Sequence, residues 1–430
     1  MHPLACPRRL IAVPWGVVST APAVAPTVVR TRPVDDPVEL ISRAPTDGLL
    51  AWVRDGEGMV AWGEAARVEL IGPEPFAAAA AWWREFSAAL VVDDPVGVPG
   101  SGAIAFGSFA FDQRTATSVL VVPRVVLGRR GDRAWLTVVG DSSANSHVPA
   151  PQPTRVPTGV RYAEGALTAP QWQSAVSEAV QRIVAGKLDK VVLARDLLAT
   201  AAGPIDPRHL LGRLAERYPT CWTFSVDGLL GATPELLVRR LGDRVTSRVL
   251  AGTVSRDGDD VVDGELADAL LGSDKDLEEH ELAVHSVAAA LARHCADLDV
   301  PERPRVLRLA NVQHLATDVT GRLTGDAGAL DLAAALHPTA AVCGTPTEVA
   351  REMIRELEGM DRRRYAGPVG WIGTNGDGEF GIALRCAELA GDTMRLFAGC
   401  GIVAGSDPEA ELAEAQAKFV PVRDALESEG

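Results

Sequence analysis

Residues 369–389 read VGWIGTNGDGEFGIALRCAEL, two runs of strand-forming residues on either side of Asn375-Gly376. Asn-Gly supplies the positive φ angles of a tight hairpin turn, so the two runs are expected to pair as antiparallel sequence neighbours. In the second run, alternation puts Ile382, Leu384 and Cys386 on one face and Gly381, Ala383, Arg385 and Ala387 on the other. Small neighbours leave room around Arg385, and a guanidinium with room can hold a carboxylate in a bidentate grip.

The flanking sequence extends the pattern. TMRLFAG, from Thr393, is a further strand, and it runs into FAGCGIV, where Gly399 and Gly401 would let bare backbone N–H groups approach an anion. A closing helix starts at Asp407-Pro408 and sets Glu411, Glu414 and Lys418 on one face. Upstream, helices are expected near 170–186 and 207–217, with KVVLARDLLA between them as a strand. Short strands follow from Trp222 to Val249, then a long helical region over 261–298 broken at Gly272-Ser273. Strands interleaved with helix pairs, without regular βαβ alternation, favour an α+β fold of stacked sheets flanked by helices.

Within that helical region lies SDKDLEEHELAV, residues 273–284. Ser273 is an N-cap candidate with Asp276 three residues on, and Leu277, Val284, Ala288, Leu291 and Cys295 recur at helical spacing. Asp276 and Glu279 therefore border a buried stripe on one side of the helix. Two carboxylates placed so repel each other and call for a cation. If this pair faced Glu411 and Glu414, the four would offer hard oxygen donors of the kind Mg²⁺ takes. Two further groups stand out. Lys190 opens KVVLARD on the face of Val192 and Ala194, where partial burial suits a lysine to serve as general base. Glu235 follows Pro234 into an apolar strand, surroundings that keep a carboxyl protonated as a general acid.

The totals set limits on partners. At 430 residues, 47% hydrophobic and 23% charged, the chain can bury a large core. Its formal net charge of −15 argues against a nucleic acid or an anionic membrane, and an anionic small substrate would need a cation or buried Arg and Lys. The six cysteines include no Cys-x-x-Cys pair, which fits a reducing, cytoplasmic setting. The first residues, with Arg8-Arg9 before an apolar run, resemble a signal peptide in part, but Pro14 interrupts the run and residues 1–40 are expected as a flexible leader. The proline-rich 141–160 reads as a linker or surface excursion. It separates 41–140, expected to belong to the same fold, from a catalytic region at 161–430.

Taken in order, KVVLAR, GATPELL, LAGT, SDKDLEEHELAV, VQHLAT, LHPTAAVCGTP, YAGPVGW, EFGIALRCAEL and LFAGCGIVAGSDPEAELAEAQAK resemble the chorismate-binding enzymes, and within them the isochorismate synthases most closely. The likeness runs from about residue 165 to 425, and 49–112 is similar to the less distinctive N-terminal part of the same enzymes. It implies an anthranilate synthase component I-like fold of two packed sheets flanked by helices, holding chorismate and Mg²⁺, as a monomer or weak homodimer. By matching position, it implies that Glu279 and Glu414 bind the metal directly and that Asp276 and Glu411 hold its waters. Arg385 and the Gly399 backbone would hold the enolpyruvyl carboxylate, with Tyr365 nearby. Gly252, Thr253 and Lys418 would close the site, and a neutral His314 would contact the ring.

The resemblance makes Lys190 the base that activates water for attack at C2 and Glu235 the acid that protonates the departing C4 hydroxyl. The product would feed menaquinone or catechol siderophore synthesis. Ala341 stands where the aminating and salicylate-forming relatives commonly carry Thr, which favours hydration. The alternatives are a salicylate synthase and an anthranilate or aminodeoxychorismate synthase subunit. A non-catalytic, metal-dependent binder would be marked by loss of Lys190 or Glu235, and both are present. The chain departs from the family at Val342-Cys343, Thr233 and Ala415, which touches supporting hydrogen bonds and no proposed catalytic group.

Overall fold

The hairpin forms, though across the four residues 374–377, of which Gly376 and not Asn375 takes positive φ: Pro368–Gly373 pairs antiparallel with Gly378–Ile382 in a computed structural model that describes residues 18–20, 27–140 and 147–427. From this hairpin the ladder grows both ways. On one side it reaches Leu236–Leu241, Arg244–Ser255 and Val312–Leu323. On the other it passes through Ile104–Ser108 to the long strand Ser118–Arg130 and on to Glu57–Leu70. It continues through Leu50–Arg54, Trp222–Val226, Leu229–Thr233, Cys386–Ala390, Thr393–Ile402 and Lys190–Thr200. The two expected sheets are thus two layers of one continuous ladder that folds back on itself.

Apolar faces and one polar clamp hold the layers together. Trp52 and Trp222 of one layer each donate an indole N–H to Glu379 of the other at 3.2 Å. Helices Asp274–Leu291 and Ala329–Leu336 pack on the layer that carries Glu379, and Pro207–Arg217 and Pro408–Glu427 on the layer that carries Trp222.

Several expectations are corrected. The run through GIALRCA is not one strand: pairing stops at Ile382 and resumes at Cys386 in the opposite layer, opposite Gly231 and Phe397. Ala383–Arg385 carries the chain across, with Arg385 at φ +47°, so the simple alternation does not hold there. The helix expected to reach residue 298 ends at Leu291, because Cys295–Asp299 pairs instead with Val312–Leu323. His280, not Leu277, takes the buried place in its stripe.

The expected leader is also ordered in part. Thr27–Pro33 lies between Leu90–Asp93 and Arg133–Val139, and Val18–Thr20 pairs with Glu57–Leu70. A strand hydrogen-bonded on both sides cannot be a loose tether. The signal-like residues 1–17 lie outside the described residues, as do 141–146. Residues 147–160 form no helix or strand and are largely exposed. Among the described residues, no helix is long and apolar enough to cross a membrane.

Candidate active site

Strand ends from both layers and the helices Asp274–Leu291 and Pro408–Glu427 enclose a cavity of about 300 Å³, a size suited to a small ligand. Thirteen of the fourteen residues expected at the site line it. The exception, Lys190, lies just behind: its Nζ donates to Glu279 Oε1 at 2.6 Å, and Glu279 does line the cavity.

Arg385 enters at the crossover between layers. Its carbonyl accepts from the Ala232 N–H at 3.2 Å, which helps hold the left-handed bend. The guanidinium is buried, and among the described residues no carboxylate lies within ion-pair distance of it. Its side-chain contact is to His314 Nε2 at 3.4 Å. Burial, then the charge of Arg385, push His314 well below the ordinary histidine range, so the ring is neutral. With Nε2 facing a donor, the proton belongs on Nδ1, 3.0 Å from Thr253 Oγ1. The adjacent Gly252 stands at φ +76° where the ladder shifts register between Ala251 and Thr253. A Cβ there would also sit 3.2 Å from the Asp276 Cβ, so glycine lets the acidic helix approach the strand. On the sheet-facing side of that helix, His280 contacts the Ala251 carbonyl and Thr317 Oγ1 at 3.3 and 2.8 Å.

Opposing charges fill much of the rest. Glu411 falls on the core stripe of its helix and accepts from Ser406 Oγ at 2.7 Å. Burial, then the neighbouring Glu414, push it up to about 7. Burial would raise Glu414 too, but Lys418, at 2.6 Å, holds it below its ordinary value. Lys418 also donates to the Gly399 carbonyl at 2.8 Å, so Gly399 meets a cation through its C=O. Tyr365 stacks on Phe397 with ring centroids 5.0 Å apart, and Ala341 sits in the loop before Gly344–Thr345.

These residues suit a hard cation. Asp276, Glu279, Glu411 and Glu414 reach one cavity, and the ligand atoms of Cys400, Glu411 and Glu414 lie within 4.8 Å of one another. Burial pushes the Cys400 thiol well above its usual range and it donates to the Glu411 carbonyl, so it stays a thiol and carboxylate oxygens make up the donor set. Oxygen donors without thiolate or imidazole favour Mg²⁺ over zinc.

Some contributors were missed in the sequence. Lys275 lines the cavity within the quoted acidic motif. Arg362 bonds the carbonyls of Val342 and Val192 at 2.8 and 2.7 Å and pairs with Glu358, whose carboxylate accepts from the Ala194 N–H at 2.7 Å. This buried pair ties the Ala341 loop to the Lys190 strand, and breaking it by removing one partner costs about 3–5 kcal/mol. Its i, i+4 spacing was visible, though its burial was not.

Gly401 gives a sharp test of positioning. A Cβ there would stand 3.0 Å from both Glu279 Oε1 and Lys190 Cε. Gly401→Ala is expected to displace that pair and lower kcat roughly tenfold or more with little change in Tm, because small misplacements are costly in rate. Unchanged kcat in steady-state assays would show that the pair tolerates movement.

A cavity joining a buried, unpaired guanidinium to a cluster of carboxylates, between two layers of one ladder, defines a class: the chain belongs to the family described as chorismate binding enzyme, whose profile matches residues 30–427. Within it, the chain is 45% identical over 260 residues to isochorismate synthase DhbC of Bacillus subtilis, an alignment covering 58% of this chain and 65% of that enzyme. It is 36% identical over 411 residues to the salicylate biosynthesis isochorismate synthase of Pseudomonas aeruginosa, covering 89% of this chain and 85% of that one. Its fold matches MenF, the menaquinone-specific isochorismate synthase from Escherichia coli, with a TM-score of 0.79 and 28% identity over 95% of this chain and 96% of that chain.

Proposed function

We propose that the protein is an isochorismate synthase that converts chorismate to isochorismate, with residues 41–140 and 161–430 acting as one cytoplasmic catalytic unit. The observation that carries this reading is a buried Glu235 on the cavity wall with the Lys190 amine close behind that wall. Burial pushes Glu235 up to about 8, so it holds a proton at neutral pH, and Lys190 is near enough for its charge to oppose that rise. Lys190 takes a proton from water as the water oxygen bonds to C2. Glu235 gives its proton to the C4 hydroxyl as that C–O bond breaks and the ring double bonds shift. One water enters and one leaves, so the net reaction is an isomerisation, and exchange with solvent resets both groups.

Arg385 is the cation for a substrate carboxylate, since a buried guanidinium without a carboxylate partner is costly until an anion arrives. Neutral His314 and Thr253 border the ring, and Tyr365 and Gly399 shape the enolpyruvyl end. Glu279 and Glu414 would hold Mg²⁺, with Asp276 and Glu411 behind them. When bound, the ion supplies positive charge for the other substrate carboxylate in an acidic protein. Lys190 is ion-paired with Glu279, so it must first lose a proton to solvent before it can take one from the attacking water.

Incubation with chorismate and Mg²⁺ tests the reading, with products identified by mass and retention. Isochorismate is expected, independent of ammonium and with little pyruvate in a lactate dehydrogenase-coupled assay. Early salicylate with stoichiometric pyruvate would assign a salicylate synthase, and an aminated product an anthranilate-type enzyme. Ala341→Thr is expected to slow hydration by filling space beside the ring, raising the barrier by ~1–3 kcal/mol. An unchanged rate in that variant would remove Ala341 as a determinant of the nucleophile.

A further inference from the structure

A second cavity of about 310 Å³, sharing no lining residue with the first, opens beside Trp222. Four arginines line it, Arg54, Arg239, Arg244 and Arg248, against a single carboxylate, Asp318. In a chain of net charge −15 this is a local reversal of sign. Nearby acids do not cancel it. Asp318 is shared by Arg248 at 2.6 Å and Arg305 at 3.0 Å. Glu379, behind Trp222, is shared by Arg239 at 3.1 Å and Arg130 at 3.5 Å, and it also accepts from two indoles. Among the described residues, Arg54 and Arg244 lie within ion-pair distance of no carboxylate. The Nε atoms of Arg130 and Arg239 are buried without an acceptor, so donors outnumber acceptors throughout the cluster. Burial, then Arg248 and Arg239, push Arg54 below its ordinary range, as uncompensated positive charge should.

We propose that this cavity is a binding site for a small multivalent oxyanion bearing phosphoryl or carboxylate groups. The guanidiniums come from three strands, Leu50–Arg54, Leu236–Leu241 and Arg244–Ser255, so an anion between them can accept from several planar forks at once. Arg54 is held over the Trp222 ring, its Cζ 4.3 Å from the centroid, and donates to the Thr220 carbonyl at 2.8 Å. Thr246 and Thr320 add hydroxyls to the wall. Strand Arg244–Ser255 carries Arg248 here and Gly252 and Thr253 at the catalytic cavity, so one element serves both sites.

Titration calorimetry of the full chain with inorganic pyrophosphate, in buffer free of divalent cations at roughly 0.1 M salt, tests the proposal. One site is expected, weakened at least ~10-fold in Arg244→Gln/Arg248→Gln. It should be unchanged in Arg385→Ala, which removes the guanidinium of the catalytic cavity. Arg244→Gln alone, at an exposed position outside any ion pair, covers the case of a double variant that fails to fold, and should weaken binding about threefold. Citrate titrated in the same way separates the two sources, the tighter ligand identifying carboxylate or phosphoryl chemistry. Absence of binding by both anions, or binding lost in Arg385→Ala and kept in the arginine variants, overturns it.

Discussion

Glu235→Gln is expected to lower kcat by at least ~10²-fold while leaving the fold intact, and Lys190→Ala to do the same. Each variant removes one of two proton transfers that the reaction needs at different carbons. Glutamine keeps the shape of Glu235 but has no acidic proton. The pH profile separates this role from a structural one. Because burial holds Glu235 at about 8, its acid form is present below that pH and kcat should fall as pH rises through it. In Glu235→Gln this basic limb should vanish from the residual rate. Stability carries the same signature: a raised carboxyl contributes most below the ordinary glutamate range, and that contribution is lost as pH climbs towards about 8. Wild-type Tm should therefore drop across this window more than that of Glu235→Gln. Near-wild-type kcat in either folded variant, checked by circular dichroism, would withdraw its role as acid or base.

Loss of the metal should be equally severe. Glu279→Ala or Glu414→Ala is expected to weaken Mg²⁺ binding at least ~100-fold in titration calorimetry and to bring turnover to background. Each carboxylate also neutralises a lysine, Lys190 or Lys418, at 2.6 Å, so loss of activity alone would be ambiguous. Calorimetry resolves it, since a carboxylate serving only as a lysine partner would leave the Mg²⁺ affinity intact when replaced. Full turnover in excess EDTA would sink the metal assignment. Chelation should also weaken chorismate binding, because the protein's own cations at the cavity are partly committed: Lys418 to Glu414 and Lys190 to Glu279.

Much of this protein can be read from local sequence. The Asn375-Gly376 hairpin, the strand opened by Lys190, the break at Gly272-Ser273 and the helix from Asp407-Pro408 all follow from turn, cap and periodicity chemistry acting over a few residues. The acidic pairs at 276/279 and 411/414 follow for the same reason, as does the resemblance that ties nine blocks together in order. Tertiary structure decided what those pieces do to one another. Alternation placed Arg385 on a strand face, yet long-range pairing puts Ile382 and Cys386 in different layers, and the crossover between them is what aims the guanidinium into the cavity. Nor does local spacing say that Lys190 meets Glu279, that Gly401 makes room for both, or that Thr27–Pro33 fills a gap in a sheet. Periodicity reports which side of an element is buried. Which element covers it is set by contacts such as Trp52 with Glu379, 327 residues apart, and burial, which only the assembled fold supplies, is what keeps Glu235 protonated and His314 uncharged.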